Sequence, residues 1–347
     1  AGCGGVALGF HNAGFETLIA NEMHPDPAET YRKNLLVGKE KRMIVGPMQK
    51  VLQDKHIDQF RIKPFEVDCV AGGPPCQGFS LTGPRKFDDP RNSLYLKYWE
   101  FIRDYSPDFF VIENVSGIAG LYEGKVREDI IKRFSSLSYT VADELVLVAN
   151  YGVPQLRRRM FFVGFKRRFG KFEFPKQTHD ESNYVSCENA IGDLPSRQKD
   201  IGNEEDQYST KSYSKYQKTM RKESPGLFNH VATKHTDLVK SVIRQVPEGG
   251  NHKDLPPGVG ESRKFNEAWT RYHSQKPSRT IDTGHRNHFH YKWDRVPTIR
   301  ENARLQSFPD KFRFFGTKTQ QNRQVGNAVP PLFAKILASK ILKHLMA

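Results

Sequence analysis

Gly72-Gly73-Pro74-Pro75-Cys76-Gln77-Gly78-Phe79-Ser80 follows directly on the apolar run Val67-Asp68-Cys69-Val70-Ala71. The run has the length and composition of a buried strand. Two glycines and two prolines then impose a sharp, stiff turn. Cys76 is therefore expected on a rigid loop at the carboxyl end of a strand, where open α/β sheets hold their ligands. Taken alone, Cys76 reads equally as an inert buried thiol or as a nucleophile.

Other apolar runs of strand length recur through the first half: Thr17-Leu18-Ile19-Ala20, Phe109 to Ile112, Leu145 to Ala149 and Met160 to Phe165. Helical patterns separate most of them, as in βαβ units, so residues 1 to about 165 read as α/β. Residues from about 175 to 275 differ, being polar, rich in Ser, Asn, Lys, Gly and Pro, and poorly periodic. Leu238 to Val246 is the one clear amphipathic patch there. From Ser278 the α/β character returns, and Pro330-Pro331 opens an amphipathic helix through Leu332, Phe333, Ile336, Leu337, Ile341 and Leu345. A chain that leaves a domain and comes back to it implies an insertion.

The 347 residues suffice for one large or two medium cores. Lysines and arginines number 54 against 39 acidic residues, a net charge of +15. The excess is spread along the chain and interleaved with Phe and Tyr, which suggests a folded protein with a polyanionic partner, nucleic acid above all. Cys3, Cys69, Cys76 and Cys187 form no CxxC pair and read as reduced thiols rather than zinc ligands. His285, His288 and His290 have no acidic or Cys cluster beside them, so no metal is expected. No apolar stretch approaches the length of a membrane span and no signal peptide is visible, so a cytoplasmic protein is expected.

Ala1-Gly2-Cys3-Gly4-Gly5 precedes an apolar stretch ending at Phe10. Glycines before a helix let backbone amides approach a ligand closely. Glu22 follows 17 residues after Gly5, near where dinucleotide folds carry a carboxylate for ribose hydroxyls. Either a nicotinamide cofactor or S-adenosylmethionine fits this pattern. Glu113 ends the strand-like run Phe109 to Ile112, where burial would raise its pKa and suit acid/base work. In Gln155-Leu156-Arg157-Arg158-Arg159, strand alternation puts Arg157 and Arg159 on one face, able to grip a carboxylate, a carbonyl or phosphates.

In this order the segments resemble the DNA (cytosine-5) methyltransferase family. AGCGG and Asn21-Glu22 resemble its first two cofactor motifs, and PPCQGFS its nucleophile motif. Asp89-Pro90-Arg91-Asn92-Ser93-Leu94 resembles the segment after the mobile catalytic loop, Glu113-Asn114-Val115 the acid motif and QLRRR the family's Gln-x-Arg-x-Arg. Pro277-Ser278-Arg279-Thr280-Ile281 resembles the motif that packs the recognition domain. Arg300 to Asp310 and Gln324-Val325-Gly326-Asn327-Ala328-Val329-Pro330 resemble the closing motifs.

The resemblance implies a Rossmann-like S-adenosylmethionine-dependent methyltransferase sheet with a smaller irregular target-recognition domain inserted. Catalytic residues 1–172 would be followed by the recognition domain at 173–276 and a return at 277–347. It implies methyl transfer to carbon 5 of a flipped-out cytosine in double-stranded DNA. Cys76 would add at carbon 6, Glu113 would serve N3, Arg159 would hold O2 and orient Glu113, and Arg157 would support them. Cofactor contacts are expected from Ala1, Gly2, Cys3, Gly4, Gly5, Glu22, Met23, Met48, Pro74, Leu94, Asn327 and Val329. DNA contacts are expected from Gln77, Ser80, Arg91, Gln155, Arg263, Arg271 and His273.

A monomer is expected, with a cognate restriction endonuclease acting on the same site without direct contact. Cytosine-5 methylation of tRNA on the same fold is the alternative, as is an inactive DNA-binding relative. Two departures stand out. The strand and Phe that open the family pattern are expected to precede Ala1 in the full protein. Pro47 stands where the family carries an Asp for the adenine amino group.

Overall fold

Phe109-Phe110-Val111-Ile112 is apolar at every position, as a strand buried on both faces must be. In the computed structural model, which describes residues 1–53, 60–74, 93–259, 268–284 and 287–347, it begins the central strand β4 (Phe109–Val115). β3 (Cys69–Gly72) lies parallel to it, β7 (Arg158–Lys166) lies antiparallel on its other side, and β5 (Tyr139–Leu147) pairs antiparallel with β7. The order is β3-β4-β7-β5. A separate parallel ladder joins β1 (Ala20–Glu22) to β2 (Met43–Val45).

The pleat divides the core. Phe110 and Ile112 face Tyr98 and Ile102 of α4 (Ser93–Tyr105) and Ile130 and Phe134 of α5 (Lys125–Ser136). Phe109 and Val111 face the other way, toward Phe333, Leu337 and Ile341 of α11 (Pro331–Leu345). That helix starts at paired prolines as expected. It packs on α1 (Gly5–His11), and a Cβ at Gly5 would run into the Val329 carbonyl oxygen, so only glycine allows this approach.

Two strands differ from the expected runs. β1 keeps only Ala20 of Thr17 to Ala20 and continues to Glu22, because Thr17 is tied by its hydroxyl to His11 and Tyr31. β5 begins six residues before Leu145, at Tyr139, and stops at Leu147; Val148–Tyr151 is a 3₁₀ turn. Asp143 masks its early half in the sequence, yet that carboxylate is held by Arg127 at 2.5 and 2.9 Å on the sheet edge.

Between the two α/β parts run α6 (Cys187–Ile191), α7 (Lys215–Arg221) and α8 (Asp237–Gln245). Short ladders accompany them: β8 (Glu205–Asp206) with β9 (Leu227–Phe228), and β10 (Thr270–Arg271) with β12 (His288–Phe289). β11 (Ser278–Arg279) brings the chain back, pairing in parallel with β6 (Gln155–Leu156). Then α9 (Ile299–Leu305) and α10 (Lys318–Asn327) follow; α2 (Pro25–Leu35), from the first α/β part, meets this closing segment through the Asn34 amide and the Arg313 backbone, and α3 (Met48–Gln53) follows β2. Cys187, Ala190, Ile191 and Leu227 share one core with Cys3, Leu8, Ile299 and Ala303, so the irregular stretch is seated on both flanking parts.

Candidate active site

Glu113 lies near the carboxyl end of β4, opposite Phe161, and Val115 lies opposite Arg159 on β7. The register brings Arg159 Nε to 3.0 Å from Glu113 Oε1, with the two side chains 17% and 14% exposed. Burial pushes the Glu113 carboxyl above the ordinary glutamate value even though the Arg159 and Arg157 charges pull it down. Arg159 also donates through Nη1 to the Arg158 carbonyl at 2.8 Å. Its own pKa is lowered by burial against the pull of Glu113.

Arg157 is 1% exposed, and among the described residues neither its Nε nor its Nη1 has a hydrogen-bond partner. Burial pushes its guanidinium down to about 9. A buried donor without a partner is costly, and such groups mark a site that a ligand or a loop completes. The expected face shared by Arg157 and Arg159 is therefore occupied by one carboxylate and two guanidiniums.

The loop after β3 comes close to this pair. Asn114 Nδ2 donates to the Pro74 carbonyl at 3.2 Å, and a Cβ at Gly73 would lie 3.0 Å from Glu113 Oε2. Gly73 thus lets the backbone leading to Cys76 pass against the carboxylate. Asn114 and Gly73 were not singled out from sequence; the signal was their place inside two of the motifs. Cys76, Gln77, Ser80, Arg91 and Arg263 lie outside the described residues.

The glycine segment forms the other half. Gly4 caps α1 with a φ of 101°, and no side chain caps that helix. Glu22, at the end of β1, accepts the Gly2 N–H at 2.7 Å and the His24 N–H at 3.1 Å. Cys3 is buried with its thiol pushed up to about 12 by desolvation, which leaves it inert rather than reactive. Met23 and Asn327 are exposed, Ala1 too, whereas Met48 and Leu94 are half-buried and Val329 is buried against Gly5. The amide of Asn21 holds the Ile44 and Gly46 carbonyls at 3.1 and 3.0 Å, fixing the turn that contains Pro47.

Two expected DNA contacts are corrected. Gln155 is fully buried; its amide donates to Gln306 and to the Leu305 carbonyl and accepts the Ile281 N–H at 3.1 Å. It staples β6 to the returning chain. Arg271 is also buried, with its guanidinium spent on the Val246, Ile243 and His290 carbonyls and on Asp294. Both side chains are buried and turned toward acceptors inside the protein rather than toward DNA. His273 is half-exposed and lies 3.6 Å from Glu248.

A family model described as C-5 cytosine-specific DNA methylase matches residues 1–343. The chain is 37% identical over 350 residues to Type II methyltransferase M1.HphI of Haemophilus parahaemolyticus, covering 99% of this chain and 85% of that protein. It is 35% identical over 369 residues to Type II methyltransferase M.DdeI of Desulfomicrobium norvegicum, covering 98% and 86%. A solved structure described as a DNA modification methyltransferase encoded within an E. coli prophage aligns over 100% of this chain and 97% of its own, with a TM-score of 0.77 and 26% identity. The S. pombe Dnmt2 methyltransferase, at 16% identity and a TM-score of 0.60, shares the fold over 99% of this chain and 97% of its own. With the match running through nearly every residue, the chain belongs to the C-5 cytosine-specific DNA methylase family.

Proposed function

We propose that the protein transfers a methyl group from S-adenosylmethionine to carbon 5 of a cytosine flipped out of double-stranded DNA, through a covalent Cys76 adduct. The observation that carries this reading is the buried Glu113–Arg159 pair, with a raised Glu113 pKa, beside the loop that leads to Cys76.

Carbon 5 of cytosine is a weak nucleophile. The Cys76 thiolate adds at carbon 6, forming an S–C6 bond and turning the ring into an enamine. Negative charge that builds toward N3 is met by the proton or hydrogen bond of Glu113. A carboxyl whose pKa is raised keeps that proton more readily than an ordinary glutamate. Arg159 orients Glu113 and, with Arg157, offers donors to the O2 carbonyl. After methylation the carbon 5 proton leaves and the S–C6 bond breaks, returning the electron pair to sulfur and the enzyme to its starting state. The base reaches this pocket only when extruded from the duplex.

The glycine turn fits the methyl donor. Gly2 has a positive φ, a Cβ placed on it would meet nothing within 4 Å, and its N–H, just before α1, is held by the Glu22 carboxylate at 2.7 Å. Gly2, Cys3, Gly4, Gly5, Glu22, Met23, Met48, Pro74, Leu94, Asn327 and Val329 would hold the donor, which supplies an electrophilic methyl on its sulfonium. Residues 173–276 would read the target site, and a cognate endonuclease would cut the same sequence when it is unmethylated. The protein would act as a monomer on chromosomal DNA in a bacterial cytoplasm. The RNA alternative has only fold likeness behind it. Bisulfite sequencing of DNA from a host expressing the protein tests the reading: 5-methylcytosine in one sequence context is expected, and an unmodified genome overturns it.

A further inference from the structure

A groove of about 440 Å³ opens beside the Glu113–Arg159 pair, lined in part by Arg158, Arg159, Arg279, Thr280, Leu147 and Leu156. Arg159 belongs to both, lining the groove while its Nε meets Glu113. Three arginines thus line a groove whose one acidic lining residue, among the described residues, is Glu181, while Arg159 is paired with Glu113. Such a groove attracts an anion.

The two outer arginines are fixed in relation to one another. β11 pairs with β6 so that Arg279 lies opposite Leu156, two residues before Arg158. The Ser278 N–H donates to the Pro154 carbonyl at 3.0 Å, and the Thr280 hydroxyl to the Leu156 carbonyl at 2.9 Å. Arg158 is set by its own ladder position opposite Leu147. Both arginines are exposed, and among the described residues no carboxylate lies within ion-pair distance of Arg158. The fold therefore holds Arg158 without an ion pair among the described residues, in contrast to Arg295 and Arg304. Leu147 and Leu156 add apolar wall suited to a sugar face.

We infer that Arg158 and Arg279 clamp the sugar–phosphate backbone of the strand that carries the target cytosine, next to the pocket that receives the base. This rests on the proposed function. A base turned out of the helix swings about its own flanking phosphates, so the enzyme must hold those phosphates beside the pocket mouth. Guanidinium forks bind phosphate oxygens in a bidentate way, and contacts of this kind set register without reading sequence.

The test uses the duplex that the wild-type protein methylates, carrying a single neutral methylphosphonate at each linkage flanking the target cytosine. Wild type, Arg158→Gln, Arg279→Gln and the double variant are titrated against each duplex, with thermal unfolding as the check on folding. At one or both flanking linkages, wild-type affinity is expected to fall about tenfold, and the double variant is expected to lose about the same on unmodified DNA yet nothing further on that methylphosphonate duplex. Losses that multiply as independent effects, or a double variant that binds unmodified DNA as tightly as wild type, overturn the clamp. If the wild-type protein methylates no duplex at all, the proposed function fails first and the clamp with it. If it methylates normally while the losses multiply, the clamp alone is wrong.

Discussion

Arg304 and Arg159 are both arginines drawn out of water beside a carboxylate, yet they are finished differently. Arg304 is fully buried and every nitrogen donates: Nε and Nη2 to Asp310 at 2.8 and 2.6 Å, Nη1 to the Ala190 carbonyl at 3.1 Å and to Asp193. Tyr208 adds a bond to Asp310 at 2.6 Å, and Arg300 nearby caps the Phe228, Pro309 and Phe312 carbonyls. That cluster ties α9 to α6 and to the irregular stretch. Around Arg159 one carboxylate serves two arginines, and among the described residues Arg157 keeps two unbonded nitrogens. Pairing of every Arg304 nitrogen offsets its desolvation, although Asp193 Oδ2, which meets the Arg221 guanidinium, makes no hydrogen bond among the described residues. Incomplete pairing in a buried place costs stability and is what a pocket for a polar base requires.

The sharpest way to break this division is to remove the reagent that the unfinished cluster serves. Cys76→Ser should abolish methylation while leaving DNA binding largely intact, because a hydroxyl is a far poorer nucleophile than a thiolate near neutral pH. Wild-type protein should also become covalently trapped on DNA containing 5-fluorocytosine, where fluorine blocks the last elimination. Full activity in Cys76→Ser would sink the mechanism and, with it, the reason for leaving Arg157 unpaired.

Glu113→Gln comes next, with turnover expected to fall about 10²- to 10⁴-fold and little change in affinity for the methyl donor. Stability should behave in the opposite way to an intact ion cluster. The raised Glu113 pKa means that its favourable contribution is present below the unfolded value and is lost as pH rises through the folded value. Burial makes the ionised carboxylate a burden, so the amide should melt within about 1 kcal/mol of wild type or above it. A loss of donor affinity without a loss of turnover would move Glu113 into the nucleotide pocket.

Arg304→Ala tests the other cluster. Removing it leaves Asp310 and Asp193 buried without their main partner, at an expected cost of about 3–5 kcal/mol in unfolding free energy. Folded protein that remains at low temperature should still be trapped on 5-fluorocytosine DNA. A variant that melts like wild type but has lost the chemistry would reverse the assignment of the two clusters.

The contrast also explains what could be read before the structure. Glu113 was legible because a carboxylate at the tip of a wholly apolar strand is conspicuous, and Arg157 with Arg159 because strand alternation puts them on one face. Gln155 and Arg271 were misread as DNA contacts because a sequence displays donors but not what uses them. Their acceptors are backbone carbonyls and side chains brought in from far along the chain, such as Leu305 for Gln155 at a separation of 150 residues. The partnership of Arg304 with Asp193, 111 residues away, was hidden for the same reason. The start of β5 was hidden by charges that belong to a sheet edge rather than to a turn.

The smallest effect concerns a third buried group, where two histidines are held neutral near the Glu301–Arg295 pair. His230 Nε2 lies 2.8 Å from the Pro195 carbonyl, which can only accept, so Nε2 carries the proton and Nδ1 accepts from the Thr298 hydroxyl at 2.9 Å. His290 Nδ1 accepts the Lys292 and Trp293 N–H groups at 3.0 and 3.2 Å, which leaves no room for a proton there. Desolvation pushes His230 down to about 4 and His290 down to about 3, although buried Glu301, held by Arg295 at 2.7 and 2.6 Å, pulls both up. Both folded values lie below the unfolded value near 6.5, so below that pH the unfolded chain binds protons that the native protein refuses. The stability that depends on neutral rings is therefore complete above about pH 6.5 and lost as pH falls toward 4, at up to about 1.4 kcal/mol per pH unit for each ring. Thermal unfolding at pH 7.5 and 5.5 should differ by about 3 kcal/mol, and a His290→Gln variant, whose side-chain oxygen can accept the two N–H groups without titrating, should show about half that dependence. An equal pH slope in the variant would mean that the acid sensitivity comes from carboxylates instead, and that Glu301 alone carries the charge balance beneath α9.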